Sequence, residues 1–459
     1  MNEKVSARTK VLYGVGDLGA AMLTATTQFF LLFFYTDVAH MNPALVGTAL
    51  MVGKLTWDAA NDPLFGYVSD RTRSRWGRRR PYLFFGAIPL ALVTWGLFSI
   101  PAGMTGTAAF LLVLFSFLLF DTVHSLILVT YTAMTPELSL DYDERTSITT
   151  VREIFTVIGY ILGAAATTPV AGFFKTTLGW SVKASYSGMG AVFGVIAAVA
   201  ILTTAFGVKE KTTGEFKPST LPPFRSVLET FRNKPFIWLM GCFFLANFSF
   251  TLLTTLLPYY LIYQLNMEKQ IPLVMLIMLA TIGVFLYPMK MLADRIGKGP
   301  AYAAGLFLSS LAIIVTFFLP YGPSPVVYAI AFVSGMGFSA QWVCPWSMLP
   351  DVIEYDQVRT GERREGIYYG MWNFITKFTN AFGIAVVGWS LALSGYVANA
   401  VQTEHARLGI RLFFGPVPAL VIIISLPLLV WYPITRASHA RLLEELKAKE
   451  AAQSPEPLK

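Results

Sequence analysis

The chain has 459 residues, 55% of them hydrophobic and only 14% charged, with a mean hydropathy of +0.57. This composition excludes an ordinary soluble globular protein and leaves no room for a soluble catalytic domain between apolar runs. The formal net charge of +8 is accounted for by loops at a lipid surface and calls for no nucleic-acid partner.

Apolar runs long enough to cross a hydrocarbon core of ~30 Å recur along nearly the whole length. A backbone in lipid must satisfy its own polar groups, so these runs are read as helices. Twelve spans are expected, at 11–36, 44–69, 82–101, 108–134, 147–174, 185–207, 235–262, 272–291, 300–319, 325–349, 366–395 and 405–433. The run after the basic N-terminal residues is too long for a cleaved signal and is expected to persist as the first helix. A basic stretch containing Pro218, Pro222 and Pro223 separates two sets of six. The expected organisation is an N-terminal bundle (1–207), a cytoplasmic linker (208–234), a C-terminal bundle (235–433) and a cytoplasmic tail (434–459) that begins as an amphipathic surface stretch.

If both termini are inside, 27 of the 35 Lys and Arg residues fall in cytoplasmic segments. Five fall in external loops or at the external ends of spans, and Lys54, Arg152 and Lys377 fall in the interior of spans. That asymmetry predicts a multi-pass cell (inner) membrane protein with both termini cytoplasmic. Cys242 and Cys344 both sit in spans, so neither a disulfide framework nor a thiolate metal site is expected.

The second span carries WDAANDP, with Asp58 and Asp62 four residues apart and therefore on one helix face. Counted back from Asp70 they lie roughly 12 to 18 Å from the cytoplasmic end, near mid-membrane. Stacked carboxylates repel unless a cation or a proton sits between them, and that conditional cost suits a coupling site. Asn61 and the fourth-span hydroxyls Thr122 and Ser125 would complete a set of hard oxygen donors for a small alkali ion. The alternative is a structural ion pair, with Lys54 one turn from Asp58.

After the second span the chain reads GYVSDRTRSRWGRRRPY, and after the eighth KMLADRIGKGPAY. The matching positions mark a duplicated transporter. This loop resembles the signature of the major facilitator superfamily, an all-α membrane fold of two pseudo-symmetric six-helix bundles rocking about a central site. The reading for Asp70, Arg71, Arg78, Asp294 and Arg295 is a gate of ion pairs on the cytoplasmic side; the alternative is that the arginines only set topology.

YGVGDLGA, YTDVAHMNPALVGT, WDAANDPLFGYVSDRTRSRWG and PWSMLPDVIEYDQ together are similar to the glycoside-pentoside-hexuronide:cation symporter family of melibiose permease, over nearly the whole chain. The resemblance implies Na+, Li+ or H+ bound through Asp58, Asn61 and Asp62, with a fourth-span hydroxyl at Ser125. It implies no other cofactor. The family's two sugar-binding aspartates become Ala21 and Leu128, and a tryptophan becomes Thr132, so a bare sugar pattern is broken. Asp17, Asp121, Arg152, Glu153, Trp342 and Lys377 remain as polar or aromatic residues for a differently placed solute. Lys377 could instead pair with Asp17, Asp121 or the Asp58/Asp62 couple. FDTVHSL, PWSMLPDVI and FITKF also resemble the sodium-dependent lysophosphatidylcholine symporter branch, in which residues matching Lys377 and Arg152 lie near a phosphate headgroup.

The expected function is therefore Na+- or H+-coupled symport of an organic solute, a sugar or glycoside by family default and a lysophospholipid as the alternative. A monomer in contact with membrane lipids is expected. No His, Asp and Ser or metal arrangement at catalytic spacing points to an enzyme, and duplicated halves with midplane acids favour a carrier over a channel. His124 is read as a hydrogen-bonding residue, and Tyr368, Tyr369 and Trp372 as an aromatic stripe for packing, with pocket lining as the alternative. The small-residue run GAAATTPVAG predicts close helix contacts.

Overall fold

The computed structural model describes residues 5–101, 103–138, 142–208, 230–360, 365–436, 438–439, 441–442 and 444–445. The side chains of Asp58 and Asp70, and residues 209–229 of the expected linker, lie outside the described residues.

Among the described residues, twelve long helices run back and forth. α1 is Ala7–Phe33, started by Ser6, whose side chain accepts from the Thr9 N–H, and it continues as a π turn over Phe34–Val38. α2 is built from Pro43–Gly53, a π turn at Lys54–Asp58 and Ala59–Arg71. α3 is Arg80–Leu97, α4 Gly106–Thr132, α5 Tyr142–Thr177 and α6 Val182–Gly207. In the second half α7 is Lys234–Tyr259, extended by a π turn over Tyr260–Gln264, α8 is Ile271–Ile296 and α9 is Lys298–Val315. α10 is Val326–Thr360, α11 Glu365–Leu393, and α12 is broken at Gly415 into Glu404–Phe414 and Pro416–Val430.

Eleven of the helices, among the described residues, are long and apolar enough to span a membrane. α2 is the exception, because its middle is loaded with polar side chains. The first half is held by α1 against α5 and α6, and by α3 against α4 and α6. Gly159 and Gly163 on α5 let it lie directly on α1, because a Cβ at either position would strike the carbonyl of Leu18 or Met22. This is the close contact that small residues in the fifth span predict.

Between the halves the pairs are α1 with α7, α2 with α11, and α5 with α8. Shifting each helix by six maps this set onto itself, as expected of a duplicated chain with a two-fold relation between its halves. α2 and α11 approach at Gly47 and Gly388, where added Cβ atoms would meet Ala385 and the Pro43 carbonyl. The acid-bearing helix α2 is thereby fixed at the seam between halves.

Candidate functional site

The seam carries a chain of polar side chains in otherwise apolar helices. A π turn widens the backbone by one residue and rotates the next stretch of helix, and at Lys54–Asp58 it lies directly before the segment containing Asn61 and Asp62. Asn61, 1% exposed, donates through Nδ2 to Asp121 Oδ2 on α4 at 3.0 Å. Its Oδ1 is buried and receives no hydrogen bond. Asp62 meets Lys377 of α11, with Oδ2 2.5 Å from Nζ. The side chains of Lys377 and Asp62 retain 25% and 33% exposure, so the pair is shielded but not sealed.

Of the candidate ion ligands, Thr122 accepts from Trp57 Nε1 at 2.7 Å and donates to the Leu118 carbonyl at 2.6 Å. Ser125 is buried one helical turn after Asp121. Lys54 points at the Phe117 ring, 5.6 Å from its centroid, and makes no ion pair among the described residues. The lysine found on Asp62 thus comes from the opposite half. Asp121, read from the sequence as a residue for the solute, accepts from Asn61.

A second cluster lies between α1 and α5. Asp17 accepts from Thr156 Oγ1 at 2.5 Å and stands 3.4 Å from Arg152 Nε, while Arg152 Nη2 reaches Glu153 at 2.7 Å. Stacked Tyr13 and Tyr131, with centroids 4.7 Å apart, pack beside it. Trp342 meets Tyr160 edge-on at 5.6 Å, and with Val157, Leu279, Ile282 and Leu286 it lines an apolar cleft where α5 and α8 cross the seam. Of the acids open to Lys377 in the sequence, the structure gives it Asp62 of the Asp58/Asp62 couple, and Asp17 is served by Arg152.

His124 lies 3.3 Å from the Ala20 carbonyl and stacks on Phe120, as a hydrogen-bonding residue does. The expected aromatic stripe divides. Tyr368 and Trp372 are fully buried, Tyr368 accepting from Asn233 at 2.8 Å and Trp372 packing on Phe243, whereas Tyr369 is exposed.

At the end carrying the termini, Arg71 stacks over the Tyr67 ring at 3.5 Å, Arg79 donates to Ser69, and Arg80 donates to the Ala205 carbonyl at 2.8 Å. Arg78 is half-buried. Asp294 pairs with Lys290 at 3.1 Å on its own helix, and both side chains are more than half exposed. Arg295 is also exposed. These contacts of Arg71, Arg79, Arg80 and Asp294 stay within one half, where the sequence reading expected ion pairs between bundles.

The polar closure lies at the opposite end, and sequence reasoning missed it. Asp37, in the π turn ending α1, is 5% exposed and accepts from Tyr396 at 2.5 Å, from Tyr263 and from Thr36 at 2.6 Å. Asn399 donates to the Asp37 carbonyl at 2.6 Å, Thr36 meets Tyr259 at 2.7 Å, and Trp389 donates to Thr48 at 2.9 Å. Each of these contacts except that of Thr36 with Asp37 joins one half to the other. The only sequence signal was an acid at the end of the first span. Its tyrosine donors come from the end of α7 and the loop after α11, more than 200 residues away.

Residues 12–436 match the model of the family described as MFS/sugar transport protein. The chain is 28% identical to the glucuronide carrier protein homolog of Escherichia coli, over 99% of this chain and 98% of that protein. It is 26% identical to the isoprimeverose transporter of Lactiplantibacillus pentosus, over 96% and 91%. Identity is also 26% to the sodium-dependent lysophosphatidylcholine symporter 1-A of Danio rerio, over 93% and 85%. Among solved structures, a bacterial homolog of the lysosomal transporter Spinster superposes with a TM-score of 0.66 at 11% identity, covering 95% of this chain and 97% of that one. The xylose transporter XylE of E. coli gives 0.64 at 15%, covering 96% and 98%. The structures establish the fold, and the whole-length family match together with transporter relatives excludes an enzyme. The chain belongs to the MFS/sugar transport protein family and is a multi-pass secondary symporter.

Proposed function

We propose that this symporter couples the movement of an organic solute to Na+ or H+ bound at Asp58, Asn61 and Asp62, by alternating access between two rigid bundles. The observation that carries the reading is the buried Asn61 Oδ1, without a hydrogen-bond donor among the described residues, on a side chain that donates to Asp121 and precedes Asp62 in the chain. An acceptor without a donor in an apolar bundle costs about 1–3 kcal/mol, and a bound cation removes that cost. Thr122 and Ser125 stand on the facing helix as further oxygens.

In the absence of the ion, Lys377 supplies the positive charge on Asp62. The ion and this lysine compete for one carboxylate, so cation binding frees Lys377 toward the solute, and solute binding to Lys377 favours the ion in return. Asp17, Asp121, Arg152, Glu153 and Trp342 form the remainder of the solute path. With Lys54, Arg152 and Lys377 the cations within the spans beside the seam, a solute bearing an acid group fits best, and a glycoside or acidic sugar is the leading class, as in the glucuronide carrier relative. A second reading, a lysophospholipid cargo, rests on the sodium-dependent lysophosphatidylcholine symporter relative and on Lys377 and Arg152 as cations for a phosphate headgroup.

With the termini on the cytoplasmic side, the orientation that the Lys and Arg distribution favours, the Asp37 closure is external and the carrier faces inward. Asp70, Arg71, Arg78, Asp294 and Arg295 are then the parts of a cytoplasmic gate in its parted state. The protein acts as a monomer in the inner membrane. The test is uptake into proteoliposomes from a panel of glycosides, hexuronides and lysophospholipids, each with a Na+ gradient, a H+ gradient and none. Accumulation that depends on one gradient and one class supports the reading, and gradient-independent equilibration of every class rejects it.

A further inference from the structure

At the end of the molecule carrying the termini, α8, α9, the end of α10, the end of α12 and the following tail enclose a cavity of about 780 Å³. It lies apart from the seam and from every residue assigned above to cation or solute.

Its floor is the start of α9. That helix begins Lys298-Gly299-Pro300 after Gly297, which has φ +98° and gives no side-chain cap, so the N–H groups of Lys298 and Gly299 are left uncapped at the positive end of the helix dipole. Tyr432 lines the cavity, is 6% exposed, and has a buried hydroxyl with no hydrogen-bond partner. The acids nearby are already engaged. Both oxygens of Asp351 are held by Lys298 at 2.8 and 2.7 Å, Glu354 receives His439 at 2.7 Å, and Asp294 pairs with Lys290. Arg436 spends one N–H on the Asp294 carbonyl at 3.1 Å, and Arg295 makes no ion pair among the described residues. The uncommitted donors are thus two guanidinium groups, a helix N-terminus and a phenol, a set suited to phosphate.

The remaining wall is apolar and opens sideways. Ile296, Leu429 and Val430 line it, and Val430 and Ile296 are 79% and 50% exposed, as residues facing acyl chains are. We infer that this cavity binds the phosphate of an anionic phospholipid from the leaflet on the side of the termini, with Arg295, Arg436, Tyr432 and the α9 N-terminus on the headgroup and the Val430 face against its chains. Sugar phosphates and inorganic phosphate would use the same donors but leave the apolar wall unoccupied.

The test uses the full chain in detergent, titrated with dioleoyl phosphatidylglycerol, dioleoyl phosphatidylcholine or glycerol 1-phosphate, and read by native mass spectrometry and thermal unfolding. Phosphatidylglycerol is expected to be retained and to raise Tm saturably, while the other two are not. R295Q/R436Q should weaken retention roughly tenfold or more, Tyr432→Phe a few-fold, and Arg436→Lys should keep most of it. Arg295→Gln alone, at an exposed position, controls for misfolding and should itself weaken retention. Equal retention by the wild type and both glutamine variants overturns the assignment. So does phosphatidylcholine binding as tightly, or glycerol 1-phosphate protecting at the same concentration.

Discussion

Lys377 Nζ lies 2.5 Å from Asp62 Oδ2, and this ion pair joins α11 of one half to α2 of the other. Both side chains are partly exposed, so its worth is set by water and geometry and amounts to about 1 kcal/mol. Its importance is positional, since it links the bundles beside the proposed ion site.

Lys377→Gln should therefore lower Tm only slightly while abolishing solute-stimulated cation binding. The double variant K377Q/D62N should regain wild-type Tm without regaining coupling. Thermal unfolding with and without Na+ and solute reads both effects. A K377Q protein whose Tm still rises more with ion and solute together than with each alone contradicts the competition proposed between ion and lysine.

Asn61→Ala removes both the Nδ2 bond to Asp121 and the orphaned Oδ1. The expected result is a rise of roughly tenfold in the cation concentration giving half-maximal uptake, since one ligand is worth about 1.4 kcal/mol in such a ratio. Maximal solute exchange at saturating cation should change much less. Ion titration of uptake distinguishes this from a packing defect, which lowers exchange at every ion concentration.

The Asp37 closure gives a conformational prediction. Tyr396→Phe deletes one O–H donor to a buried carboxylate, a loss of about 1.5–3 kcal/mol from the closed arrangement, and Asp37→Asn weakens every donor it receives. Spin labels at His40 and Val401, both exposed beyond the seal, should report a longer-distance population in either variant. The native cysteines Cys242 and Cys344 are buried and do not compete for label. An unchanged distance distribution in Asp37→Asn would show that the seal rests on helix packing alone.

Gly163→Val places a side chain against the Met22 carbonyl where α5 lies on α1. Overpacking here should cost about 1–3 kcal/mol and lower Tm by several degrees. Gly172, with nothing within reach of an added Cβ, should accept Ala without loss. Unfolding of the two variants in detergent compares them directly.

Much of this was legible in the chain. Span number, the duplication and the small-residue face of α5 follow from periodicity and composition, because lipid forces helices and leaves few other choices. WDAANDP marks the seam since acids inside a span are too costly to be incidental. The partners brought together by tertiary packing could not be read. Lys377 had Asp17, Asp121 and the Asp58/Asp62 couple as possible partners, and only the approach of α2 to α11 selects the couple. The bond from Asn61 to Asp121 follows only from the packing of α4 beside α2. Asp37 carried no local pattern, because its donors arise on two distant segments. The π turns at Lys54–Asp58 and Phe34–Val38 leave an ordinary helical sequence, and α10 runs past Pro350 to Thr360 where hydropathy alone ends it at 349.

The central claim, that a positive charge on the acids of α2 licenses transport, is tested most directly by proteoliposome accumulation in Asp58→Asn and Asp62→Asn. The account predicts that solute counterflow persists in both while accumulation driven by a Na+ or H+ gradient is lost. Full gradient-driven accumulation in both variants would contradict it.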